Sequence, residues 1–324
     1  MGYYNDKAIS QSQLTNLASG PKYFKNKLEY KTESDALTLG SVVDVMLTEP
    51  DNFHTIFIVN EYTKPVGQLG EYVDFIFKGL SEEDAYKEAG FKQKKLEVVK
   101  ELFKGEDCQK YYNFLLESKD KKVISKEEYD KANRIVTSLL TNRFTSKYFN
   151  CDDTECLTQL ELYWKYKDFD CRSRLDIVKI NHNDKTILPI DVKTSGKSTY
   201  NFLESVVRFR YDLQASFYVE ALNWYVKNTD KYKGYTVLPF LFIVEHTDYP
   251  GLPLIYECTE QDIYCGKYGG TTKTGVTLKG FDQLIEDLKW YYYHDSWDYT
   301  REVIENKGMV KMNLFNDQNK NTME

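Results

Sequence analysis

The sequence predicts an α/β fold: a mixed central sheet that opens with an antiparallel meander, flanked by helices and preceded by a largely helical N-terminal region. Three observations predict it. Residues 80–142 are rich in Lys, Glu and Leu with helical periodicity. Near residue 155 the pattern changes, and LTQLELYWKY (157–166), CRSRLDIVKI (171–180) and TILPIDVKT (186–194) follow as β-rich runs separated by short polar turns. A helical stretch from about Tyr200 to Val226 then leads to an apolar strand run, Val237–Val244, interrupted by Pro239.

In order along the chain, residues 9–30 read as helix. Ser10 or Ser12 can cap its start, and Leu14, Leu17 and Ala18 share one apolar face. Gly20-Pro21 breaks that pattern, and Tyr23, Phe24 and Leu28 resume it. A second helix spans about Leu37 to Leu47 and ends before Pro50, with Gly40 and Ser41 allowing close backbone approach. Ser81–Asp84 and Ser125–Glu128 each place a capping serine before an acidic first turn. The lysines at 92, 94, 95, 100 and 104 form either a solvated helix face or a DNA contact. Polar turns at Lys167-Asp168 and at residues 182–185 separate the three strands, and a last amphipathic helix lies near Leu278–Tyr293. These boundaries divide the chain into a mostly helical part (1–150), a core (151–310) and a polar tail (311–324), the last expected to fray. The two larger parts are expected to form one composite domain.

The formal net charge of -7 excludes a histone-like coat of positive charge, but leaves room for a local basic surface. The six cysteines have no CxxC spacing, which argues against a zinc ribbon. Reduced, partly buried thiols are expected. The N-terminus MGYYNDKAIS has no apolar signal-peptide core, and no apolar run nears the ~20 residues of a membrane span. A cytoplasmic protein is therefore expected. The 27 tyrosines suit core-edge packing, with a minority available for stacking on bases.

The second hairpin carries the chemistry. A two-residue turn at Asn183-Asp184 places Asp176 directly opposite Asp191, with the two Cβ atoms roughly 5 Å apart. Lys193, two residues further, points to the same face. Two facing carboxylates need a positive charge between them. A divalent cation with hard oxygen ligands answers that need, and so does Lys193 alone in a salt-bridged strand face. On the following helix Gln214 and Tyr218 are four residues apart and share one face, as site residues or as ordinary surface residues. Arg208 and Arg210 just before them are candidate phosphate contacts.

These residues resemble a known pattern. LDIV followed by ILPIDVKTS is similar to the core motif of the PD-(D/E)XK nuclease superfamily, with Asp191-Val192-Lys193 as its D-x-K element. Gln214 and Tyr218 resemble the Q-x-x-x-Y helix motif of its RecB-like branch. AISQSQLTNLASGPKYF (8–24) and LTLGSVVDVMLTEPDNF (37–53) resemble the start of phage and prophage exonucleases of the exodeoxyribonuclease VIII (RecE) type. Many of those carry His in G-S-x-x-H, where this chain has Asp44. Glu161, on the first strand of the meander, stands where relatives often place an acid.

The resemblance implies a restriction-endonuclease-like fold and Mg²⁺- or Mn²⁺-dependent hydrolysis of DNA. Asp176, Asp191 and Asp44 would be metal ligands, with the Val192 carbonyl as a further oxygen and Glu161 as a weaker candidate. Lys193 would orient or help deprotonate the attacking water and stabilise the transition state, and Gln214 and Tyr218 would position the nucleophile or the scissile strand. Ser195 joins Arg208 and Arg210 as a candidate DNA contact. The implied substrate is linear duplex DNA digested from an end in phage recombination or DNA processing, in a bacterial host. A single-strand annealing protein and a homo-oligomer are implied partners, and a membrane is not. Two alternatives stand beside this: a RecB-like endonuclease with another DNA substrate, and a catalytically weak DNA-binding or virion-associated protein that keeps the fold.

Overall fold

The computed structural model of the chain describes residues 7–29 and 39–310. The first two residues of the second expected helix and the polar tail lie outside the described residues. The chain starts with a two-residue strand, β1 (Ile9–Ser10), and then α1 (Gln11–Ala18), α2 (Pro21–Glu29) and α3 (Leu39–Thr48). Ser10 closes a capping box with Gln13 at the start of α1. Gly20, at φ 138°, turns the chain into α2.

The N-terminal part continues through α4 (Phe53–Ile56), β2 (Phe57–Asn60), α5 (Gln68–Phe77), α6 (Glu82–Glu88), α7 (Leu96–Phe103) and α8 (Glu106–Ser118). A short strand, β3 (Lys122–Ser125), then precedes α9 (Lys126–Thr141) and α10 (Ser146–Phe149). Ser81 caps α6, and Ser125 with Glu128 forms the capping box of α9. The stretch from 80 to 142, read as helical with starts at Ser81 and Ser125, therefore also contains β3, which pairs in parallel with β2. That strand forms only because a segment some sixty residues away in sequence supplies its hydrogen-bond partners, and no local pattern encodes this. Lys100 is 2.6 Å from Glu82, and Lys104 is 2.7 Å from Glu101. Ion pairing on a solvated surface is thus how both lysines are used.

The sheet comes next. Strands β4 (Glu155–Tyr166), β5 (Phe169–Asn181) and β6 (Thr186–Ser195) form the antiparallel meander. Helices α11 (Phe202–Phe209) and α12 (Tyr211–Asn228) carry the chain back to β7 (Thr236–Val237) and β8 (Leu241–His246), both parallel to β6. Strand β9 (Leu254–Glu257) adds an antiparallel edge. The remainder is α13 (Glu260–Tyr268), the small hairpin β10 (Gly270–Thr271) and β11 (Thr277–Leu278), α14 (Phe281–His294) and α15 (Arg301–Glu305). The sheet is mixed and flanked by helices. Two expected elements are interrupted. The helix expected over 200–226 breaks at Arg210, which is left-handed at φ 59°, and the strand expected over 237–244 is split around Pro239, which offers no backbone donor.

One face of the sheet packs on α1, α12 and α14. Leu14, Leu17, Phe217, Leu222 and Leu288 meet Trp164, Leu175, Val178 and Ile180 there. The other face packs on α3 and α9, where Val42, Val43, Ile135 and Leu139 meet Ile177, Ile190, Leu241 and Ile243. Glu245, fully buried on β8, accepts hydrogen bonds from Ser138 of α9, the His246 amide and the Gly251 amide, so α9 is tied to the sheet by a satisfied polar link. One expectation about thiols is corrected: Cys151 and Cys156 form a disulfide in the turn entering β4, with Cα atoms 5.8 Å apart.

Candidate metal centre where the sheet splits

Strand β4 pairs with one edge of β5 over its whole length, so β1 and β6 share the other edge. β6 uses it from Ile177 to Asn181, and β1 uses it at Cys171 and Arg172. Between them the edge is unpaired, and β6 diverges to run along β8. Asp176 and Asp191 are the first residues past the last rung, Ile177↔Ile190. The turn that sets this register spans four residues rather than the expected two. Lys185 is left-handed at φ 51°, and Asn181 Oδ1 accepts from the Asn183 and Asp184 amides. The longer turn leaves the pairing unchanged, because one extra residue is added to each arm.

The alternation of β5 also breaks here. Leu175, Val178 and Ile180 join the α12-side cluster while Ile177 joins the α3-side cluster. Gln159, between the pairs Thr158↔Ile177 and Leu160↔Leu175 on the adjoining strand, is left-handed at φ 49°. In β6 the alternation is regular. Leu188, Ile190 and Val192 pack toward α3 and α9, which turns Asp191 and Lys193 toward α12.

Asp191 is 2 % exposed. Its Oδ1 accepts from Gln214 Nε2 at 2.6 Å, and its Oδ2 lies 2.6 Å from Lys193 Nζ. Lys193 also sits 4.8 Å from the centre of the Tyr211 ring. Burial opposes its charge, but Asp191 and Asp176 outweigh burial and hold the ammonium up to about 12. Lys193 is therefore a cation at neutral pH, suited to stabilising negative charge and unable, in this state, to accept a proton. Asp176 is pushed well above the usual carboxylate range, by burial first and then by the charges of Asp191 and Asp44. Asp44, reaching in from α3, is raised by burial and by Asp191, with Arg174, Gln159 and Lys193 opposing. Gln159 Nε2 lies 3.1 and 3.2 Å from the two Asp44 oxygens and 2.9 Å from Thr48 Oγ1.

The structure thus brings Asp44, Asp176, Asp191, Lys193 and Gln214 together. Val192 lies between Asp191 and Lys193 with its side chain packed away from them. Tyr218, one turn beyond Gln214, packs between two apolar clusters, with its ring 6.2 Å from that of Phe240. Glu161 is exposed and stands opposite Arg174 in the β4/β5 ladder. Ser195 Oγ is engaged in a turn with Lys197 at the end of β6. Arg208 is exposed beside Phe209. Arg210 is corrected: it is 8 % exposed, and its guanidinium is bound to both Asp212 oxygens at 3.0 Å and to the Lys279 carbonyl at 2.5 Å. Those bonds fix the α11–α12 joint and leave its charge turned inward.

Three members of the constellation escaped sequence reading. Tyr211, three residues before Gln214, shares its helix face, and that spacing could have found it. Arg174, two residues before Asp176, acts on both Asp44 and Asp176. Gln159 carries no motif, and only its backbone and its contact with α3 reveal it.

The donor set fits a hard divalent cation: three carboxylates, two of them destabilised by the others' charge. Asp191 Oδ2 is buried without a hydrogen bond of regular geometry. Among the described residues no group of three His, Cys, Asp or Glu side chains is arranged to hold a metal ion as it stands. Asp191 is held by Lys193 and Gln214 and Asp44 by Gln159, so ligation would require these side chains to reorient.

A mixed sheet split beside two carboxylates and a lysine is the PDDEXK-like class of fold. The family model described as "PDDEXK-like domain of unknown function (DUF3799)" matches residues 59–264, and the chain belongs to that family. The match takes in Asp176, Asp191, Lys193, Gln214 and Tyr218 and begins after Asp44. Among solved structures, the crystal structure of a "Putative exonuclease" from Eubacterium rectale aligns over 98% of this chain and 96% of that one, with a TM-score of 0.46 and 11% identity. No curated protein matches the chain.

Proposed function

We propose that this chain is a magnesium- or manganese-dependent deoxyribonuclease acting on linear duplex DNA from an end. The observation that carries the reading is the pairing of Asp176 and Asp191 at the point where β5 and β6 separate, with Lys193 Nζ 2.6 Å from Asp191. Family membership supports the nuclease class, and the sequence resemblance to the exodeoxyribonuclease VIII type supports the exonuclease reading, a phage or prophage origin and an annealing protein or second copies of the chain as partners. The N-terminal part completes the site through Asp44, which supports one composite domain.

Asp176, Asp191 and Asp44, with the Val192 carbonyl, would hold the cation. When bound, it supplies Lewis acidity toward the scissile phosphate and a more acidic water. The side chains do the rest. Gln214 fixes the rotamer of Asp191 through its short hydrogen bond. Tyr211 and Asp191 hold the Lys193 ammonium in place, where it stabilises charge building on the phosphate. Arg208 and Ser195, on the connection from β6 through α11, would meet the DNA backbone.

The test is digestion of end-labelled linear duplex with Mg²⁺, beside a circular duplex. The expected result is loss of label from the linear DNA only, abolished in Asp191→Ala with the fold retained. Fragmentation of the circle would replace the exonuclease reading with an endonuclease, and full activity of Asp191→Ala would overturn the site.

A further inference from the structure

We infer that Gln159 is a positioning residue of this centre, holding the Asp44 carboxylate ready for the cation; the inference rests on the nuclease reading above. Two independent features single it out. The first is the backbone. Gln159 is a non-glycine residue at φ 49° in the middle of a twelve-residue strand, where an extended conformation would preserve the ladder. Such outliers persist where the surrounding structure demands them and concentrate at functional sites. This one faces Asp176 across the ladder, at the point where the alternation of β5 breaks.

The second is the side chain. Its Nε2 lies within hydrogen-bond distance of both Asp44 oxygens and of Thr48 Oγ1. That settles which amide atom is which. The reverse assignment would set a carbonyl oxygen against a carboxylate. With nitrogen on Asp44, the amide oxygen Oε1 is buried and meets no donor among the described residues. A buried acceptor beside the Asp44 carboxylate and across the ladder from Asp176 is suited to receiving a hydrogen bond from a water of a hydrated Mg²⁺. Gln159 would thus serve the cation twice, by orienting the Asp44 ligand and by accepting from its hydration shell. Outer-shell partners of this kind commonly change metal affinity by about 10–100-fold.

The experiment compares the full chain with Gln159→Gly and Gln159→Asn, both of which tolerate a left-handed backbone. Glycine removes the amide, and asparagine keeps it but is one methylene too short to reach Asp44. Mg²⁺ and Mn²⁺ binding are measured by calorimetry and melting temperature by circular dichroism in EDTA. The expected result is cation binding weakened about 10–100-fold in both variants, with melting temperatures equal to or above that of the unaltered chain. The metal concentration for half-maximal cleavage should rise by the same factor, and saturating metal should restore most of the maximal rate. Binding unchanged in two folded variants would overturn the inference and leave the nuclease reading standing. Loss of the fold in both would also overturn it, since a positioning role leaves the fold intact. If the unaltered chain binds neither cation, the nuclease reading fails and takes this inference with it.

Discussion

Asp176→Asn should make the metal-free protein more stable while removing the metal-dependent activity proposed above. Asparagine is nearly isosteric with aspartate, so no cavity opens. No hydrogen bond to the Asp176 carboxylate is lost, for it makes none among the described residues. What changes is charge. Burial, Asp191 and Asp44 all disfavour the ionised form of Asp176, and they outweigh Lys193 and Arg174. At neutral pH the unfolded chain ionises this group freely and the folded chain does so against repulsion, so neutralising it favours the folded state. Single stabilising substitutions typically gain about 0.5–2 kcal/mol, and each kcal/mol raises the melting temperature of a 324-residue chain by roughly 1.5 °C, from about 2.1 cal/mol/K of unfolding entropy per residue. Saturating Mg²⁺ should reverse the order, because a ligand at about 100 times its Kd adds about 2.7 kcal/mol to the protein that binds it. The assay is thermal unfolding of both proteins in EDTA and in Mg²⁺. A variant less stable than the parent in EDTA would refute the account of mutual repulsion.

Other outcomes follow from the same geometry. Arg210→Ala strips Asp212 of its partner at a joint where both side chains are largely buried; denaturant unfolding should show a loss of about 3 kcal/mol, with DNA affinity of the folded fraction unchanged. A selective loss of DNA affinity would restore Arg210 as a phosphate contact. Lys193→Ala should lower turnover far more than DNA affinity, read by comparing single-turnover cleavage with binding in Ca²⁺; equal losses would count against a transition-state role. At the far end of the sheet Lys231, with His182 behind it, holds the Glu155 carboxyl below its usual range. A depressed acid stabilises the fold above its unfolded pKa and loses that contribution as pH falls through its folded value. Glu155→Gln should therefore cost about 0.5–1 kcal/mol near neutral pH, with the difference fading below roughly pH 4; a difference that grew on acidification would contradict the sign.

Much of this site was legible in the sequence, and for a specific reason. The β5–β6 hairpin is local, so its register follows from a short turn and a period-two pattern, and both place Asp176 across from Asp191. Gln214 was legible because helix periodicity singles out a polar side chain on an apolar face. Arg210 was misjudged because an arginine's use depends on what surrounds it, and here Asp212 and the Lys279 carbonyl capture it. β3 was invisible because its partner, β2, is distant in sequence, and Gln159 because its backbone is set by the strands around it.

By itself, then, the sequence determined the meander, the helix caps at Ser10, Ser81 and Ser125, and the Asp–Asp–Lys grouping, all products of short-range geometry and hydrophobic period. Only the tertiary structure decided where β5 parts from β6, that Asp44 arrives from α3 to meet Gln159, and that Tyr211 and Asp191 bracket Lys193. Those contacts join segments far apart along the chain. They form because burying the two faces of the sheet fixes where α3 and α12 must lie.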